Sequence, residues 1–164
     1  MKSKWLWVLL VVLLGVGLYA GSVLATPPSG LTTTTLARSS FDHLNIKAHT
    51  TPANVWRARI KTHGVSDFYV IDNHLAPGGT TGWHSHPGPS LIFVVAGTVT
   101  NYMGDDRHCR PHDYAAGTGF VDEGGDHVHM LRNNGDVAAE TIAVQFLPTG
   151  ATRRIDAADP GNCP

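Results

Sequence analysis

Two histidines two residues apart, His84 and His86, stand in the segment GGTTGWHSHPGPSLIFVVAG, residues 78–97. In an extended strand, residues i and i+2 point to the same face, so both imidazoles would present a nitrogen to one point. Neutral nitrogen donors suit Fe, Zn, Cu or Ni better than Mg or Ca. His127 and His129 repeat the spacing in GTGFVDEGGDHVHMLRN, residues 117–133, and either can supply a third nitrogen. Glu123 lies beside them in a turn, where a carboxylate is normally solvated. His108 and His112 flank Cys109, but Cys-x2-His without two further ligands is no zinc site, and these read as surface. No Gly-x-Ser-x-Gly elbow, phosphate loop or dinucleotide fingerprint is present, so no catalytic residues are assigned.

The elements that would position these histidines are short strands. Val55–Lys61 alternates apolar and basic residues, the pattern of a half-buried strand. Phe68–Leu75, Ser90–Val95, Thr98–Met103, Gly119–Val121, His127–Leu131 and Glu140–Leu147 follow. Ala76-Pro77-Gly78-Gly79 is expected to break the chain, and Ala96-Gly97 and Gly104-Asp105-Asp106 to turn it. Gly78, Gly97, Gly117 and Gly125 are expected at turns that need unusual backbone angles. After residue 36 no stretch has helical periodicity, a cap and adequate length together. This strand-turn rhythm predicts an all-β barrel or sandwich, with Trp83 and Phe93 in its core. His63 and His74 are expected at the surface.

Lys2 and Lys4 precede an uncharged stretch, Trp5–Ala25, that ends in small residues. That order is the signature of a secretory signal, with cleavage after Val23-Leu24-Ala25. The run is also long enough to stay as a membrane anchor. Either way the remainder is expected outside the cytoplasm, secreted or anchored on the extracytoplasmic face, touching the membrane only through residues 1–25. Residues 26–44, rich in Thr and Pro, read as a linker, residues 45–150 as the barrel, and residues 151–164 as an irregular tail. Charged residues are only 15% of the 164-residue chain and the net charge is −1. That balance excludes a disordered chain and makes nucleic acid an unfit partner. Cys109 and Cys163 are the two cysteines. An oxidising compartment permits a disulfide between them, worth roughly 4 kcal/mol in the chain-entropy model.

The histidine segments resemble the two motifs of the cupins. The first is Gly, five residues, His-x-His, three or four residues, Glu, six residues, Gly. Gly78, His84, His86, position 90 and Gly97 keep every interval, with Ser90 where the pattern has Glu. The second is Gly, five residues, Pro-x-Gly, two residues, His, three residues, Asn. Gly117, Glu123, Gly125, His129 and Asn133 are similar to it, with Glu123 in the Pro position and one extra residue before His129. The His-x3-Asn interval favours His129 as third ligand, and His127 stays the alternative. The resemblance covers roughly Asn45–Pro148. It implies a single antiparallel, jelly-roll-like cupin barrel holding one divalent transition metal (Fe, Mn, Zn, Ni or Cu) on His84, His86 and His129.

Without the Glu, the site would be a neutral three-histidine face with open positions. Such a face permits oxygenase- or isomerase-like activity on a small molecule. It permits equally a non-catalytic module that binds a small ligand or the metal. A metal-free structural barrel is the third reading, and the retained histidines count against it. Cupins often pair through barrel edges, so the resemblance also implies a homodimer.

Overall fold

The structure is a computed structural model and describes residues 25–50 and 56–163. The expected export segment up to Leu24, and Val55 at the start of the first expected strand, lie outside the described residues. Among the described residues no helix is long and apolar enough to cross a membrane.

Twelve strands follow one another: β1 (Ser29–Phe41), β2 (Asn45–His49), β3 (Arg57–Lys61), β4 (Ser66–Thr80), β5 (His84–Ser85), β6 (Ser90–Ala96), β7 (Thr98–Met103), β8 (His112–Ala115), β9 (Gly119–Asp122), β10 (His129–Arg132), β11 (Ala139–Pro148) and β12 (Ile155–Asp156). Ten of them form one antiparallel sheet that folds into a nearly closed barrel. One half runs β9-β6-β11-β4-β1 and the other β12-β5-β10-β7-β8. The halves are tied through the pair Thr80 and Arg132, between β4 and β10.

The alternation in the central strands explains the closure. In β6, Ser90, Ile92 and Val94 point inward while Leu91, Phe93 and Val95 point out. In β11, Ala139, Thr141, Ala143, Gln145 and Leu147 point inward. Leu75, Val94, Val99 and Ala139 form one apolar cluster, and Ile71, Ile92 and Ala143 another. Trp83 is buried, as expected. Phe93 is corrected: it is 50% exposed, because its parity along β6 places it on the outer face.

Three further expectations are corrected. The linker predicted over residues 26–44 contains β1, which pairs along β4 from Ser29↔Thr80 to Phe41↔Ser66. Its four consecutive threonines are β-branched and suit a strand. The strand is almost wholly exposed, so no inward apolar row marks it. It is clamped by the buried carboxylate of Asp67, which accepts from Arg38 Nη2 (2.8 Å) and from Ser40 Oγ. Those two donors hold the Asp67 carboxyl down at about 2.

Second, β2 and β3 form a separate two-stranded hairpin sheet, so the barrel does not begin at Asn45. Third, the break expected at Ala76–Gly79 does not end the strand. β4 runs through to Thr80, with a register shift against β1 there. Gly78 turns with φ +73°, and its N–H donates to the Asn133 carbonyl.

Asn133, the last residue of the second motif, is a structural residue. Its buried Nδ2 donates to the carbonyls of Leu75, Ala76 and Val137, and its Oδ1 accepts from Gly135 N–H. It fastens the end of β10 onto β4 and onto the turn before β11. The tail is not irregular throughout: β12 pairs with β5, and Cys109 and Cys163 form a disulfide with Cα atoms 5.2 Å apart. Asn162 Nδ2 donates to the carbonyls of Met103, Gly104 and Asp106 beside it.

Candidate metal centre

The three histidines come from strands the sheet order makes neighbours. β5 carries His84, with His86 just beyond it, and His84 is the direct cross-strand partner of His129 on β10. All three side chains are buried. Their ring centroids lie 4.4 Å (His84–His129), 4.8 Å (His84–His86) and 5.5 Å (His86–His129) apart. One nitrogen from each falls within 4.8 Å of the others.

The outer ring nitrogens decide which atoms face the centre. His84 Nδ1–H donates to the Gly82 carbonyl at 2.9 Å and His86 Nδ1–H to the Arg153 carbonyl at 2.7 Å. A carbonyl can only accept, so Nε2 of both rings carries the free lone pair. This is the arrangement that orients metal-binding histidines in general. It depends on Gly82, whose φ is +65° and whose added Cβ would lie 2.2 Å from the Thr26 carbonyl. Burial pushes the His84 imidazole down to about 2, with His129 and Arg154 adding to the effect. Burial lowers His86 and His129 as well, against the pull of Asp122. The three rings are therefore neutral, the state a cation requires.

Asp122 occupies no ligand position of either sequence motif. It ends β9, directly across from Ser90 on β6, and both are buried on the inner face. Its Oδ2 lies 3.7 Å from His86 Nε2 and its Oδ1 3.7 Å from His129 Nδ1. Oδ1 also accepts from Gly124 N–H, but among the described residues Oδ2 has no hydrogen-bond partner, nor do Ser90 Oγ and His129 Nδ1. Buried polar atoms are nearly always satisfied, so this concentration of unpaired ones marks a place built for a missing group. The residues present thus fit a divalent ion. Asp122 lies outside the closest group, which consists of the three histidines alone.

His127 does not join them. Its side chain is 48% exposed and its Nε2 faces Glu123, itself at the surface, at 3.7 Å. The extra residue before His129 is accommodated in the turn that leaves His127 outside β10.

A cavity of about 150 Å³ opens onto the three histidines. Ile71, Ile92, Leu131 and Ala143 give it apolar walls, while Gln145, Arg153 and Arg154 give it a polar end. A second hollow of about 230 Å³ reaches Asp122 and His129, with His127 and Glu123 on its lining.

The sequence profile of the cupin domain family matches residues 73–145, which include the three histidines, Ser90 and Asp122. Over residues 73–145 the chain is a cupin domain. No curated protein matches it significantly. Among solved structures, the polyketide cyclase RemF from Streptomyces resistomycificus is similar at 17% identity, over 87% of this chain and 87% of its own, with a TM-score of 0.52. A cupin superfamily protein from Desulfitobacterium hafniense is 12% identical over 79% of this chain and 89% of its own, with a TM-score of 0.48. An uncharacterized conserved protein with a double-stranded β-helix domain from Klebsiella pneumoniae is 22% identical over 55% and 74%, with a TM-score of 0.47. The likeness to RemF is one of fold.

As a cupin, this chain departs from the family pattern at Ser90, the position of the Glu. Ser90 is fully buried and faces inward, where a Glu would stand. What fills the inner face beside it is the carboxylate of the next strand, Asp122.

Proposed function

We propose that this protein is an exported metal-binding cupin that holds one divalent transition metal on His84, His86 and His129 and receives a small molecule in the adjoining cavity. The observation that supports this reading is the convergence of three buried, neutral imidazoles beside unpaired buried polar atoms. Asp122, whose Oδ2 lies 3.7 Å from His86 Nε2, would supply the carboxylate that position 90 lacks. A three-histidine, one-carboxylate donor set suits Mn, Fe, Ni or Zn.

Once bound, the ion supplies Lewis acidity, and redox chemistry where it is Fe or Mn. The chain's own residues do the rest. Gly82 and Arg153, through their carbonyls, fix two rings. The cavity has room for about five water-sized groups, by the ~30 Å³ that each occupies in the liquid, so the ligand is small. The export reading rests on residues 1–25 of the sequence.

Cobalt(II) titration followed by visible absorption tests the ligand set. The wild type and His127→Ala are expected to give the same intense d–d bands at one equivalent, and His129→Ala to lose them. Bands lost in His127→Ala and kept in His129→Ala would overturn the assignment.

A further inference from the structure

The polar end of the cavity is contributed by the C-terminal segment that crosses the barrel mouth. Arg153 and Arg154 both line it, but their charges are balanced differently. Arg154 Nε donates to Asp156 Oδ1 at 2.6 Å and Nη2 to the Thr81 carbonyl at 2.7 Å, so it has a carboxylate and a structural role. Arg153 has no carboxylate partner among the described residues. Its Nη1 donates to the neutral Gln145 Oε1 at 3.1 Å, and it is half-buried. A guanidinium has five N–H donors in a planar fork, so most of its capacity is unused.

Around the cavity the histidines contribute no charge, Arg154 is matched by Asp156 and Arg153 contributes one positive charge, while Asp122 adds one negative charge from the neighbouring hollow. A divalent ion on the proposed site adds two more positive charges. The occupant that balances this arrangement is an anion. A single guanidinium fork matches one carboxylate, and the apolar walls suit an organic remainder better than they suit inorganic phosphate.

We infer that the cavity binds a small aliphatic carboxylate, its carboxyl group paired with the Arg153 guanidinium and its remainder lying toward the three histidines. This deepens the metal-site reading and rests on the same cavity. Arg153 acts as a specificity-determining residue, and the C-terminal segment belongs to the binding site.

Calorimetric titration with lactate and its neutral isostere lactamide tests the inference, on full-length protein whose metal content is measured in the same sample. Lactate is expected to bind at least 10-fold tighter than lactamide. Arg153→Gln should remove that preference, and Arg153→Lys should restore part of it. The same comparison on metal-free protein should keep the dependence on Arg153 at lower affinity, which separates failure of this inference from failure of the metal site. Equal binding of lactate and lactamide, an Arg153→Gln variant that still prefers lactate, or inorganic sulfate binding tighter than lactate would overturn it.

Discussion

Asp122→Asn is expected to weaken Mn(II) binding by about 100-fold, near the upper end of what loss of a carboxylate beside a metal site costs. Adding Ser90→Glu to that variant should recover most of the loss. The reasoning is geometric. Ser90 and Asp122 are direct cross-strand partners on the inner face, so a carboxylate can enter the same space from either strand. Ser90→Glu alone should behave differently. It places two carboxylates side by side in a buried site, where like charges repel, and should destabilise the metal-free protein while tightening Mn(II) binding. Isothermal titration of the three variants, with thermal melts of the metal-free forms, checks all of this. An Asp122→Asn variant with unchanged Mn(II) affinity would remove Asp122 from the ligand set.

The second large effect is acid lability. His84, His86 and His129 are held neutral by burial, each below its ordinary value of 6.5. Below that pH the unfolded chain takes up protons on these residues and the folded chain does not. Folding stability is therefore full above about pH 6.5 and falls as pH drops toward the lowered native values. One such histidine costs about 1.4 kcal/mol per pH unit, so His84 and His129, held down at about 2 and about 4, together approach about 3 kcal/mol per unit above pH 4, and His86 adds to this. Against a total of roughly 5–15 kcal/mol for a domain, the metal-free protein should unfold in the region of pH 4 to 5. His84→Ala/His86→Ala should show less than half of the slope, since only His129 still resists protonation. Saturating metal should move the transition to lower pH, because the ion competes with protons for the same nitrogens. Urea melts at half-unit pH steps give the slope. A metal-free stability that stays flat from pH 7 to pH 4.5 would mean that the rings are not held neutral.

The histidine site was legible because its spacing is local. His84 and His86 are separated by one strand period, and Gly78, Gly97, Gly117 and Gly125 all adopt the positive φ their turn positions require. Asp122 was not legible for the opposite reason. Its proximity to His86 and His129 depends on the register between β6 and β9, which one sequence does not reveal. The alternation in Gly119–Asp122 does put Asp122 on the same face as Phe120, and that was the available signal. Strand β1 was hidden because an exposed strand leaves no inward apolar row. Arg153 was hidden because the tail that carries it is held by β12, only two residues long, whose pairing with β5 is a long-range contact. The disulfide was within reach: with only two cysteines, one pairing exists.

The geometry of the site supports one transition metal on His84, His86 and His129. Elemental analysis of the protein purified without added metal, beside His84→Ala/His86→Ala prepared identically, tests it most directly. Close to one transition-metal ion per chain is expected in the wild type and none in the variant, with far-ultraviolet circular dichroism of both showing the same β-content. Equal metal in both proteins, or none in the wild type even after loading with Mn, Fe, Ni, Zn and Cu in turn, would contradict it.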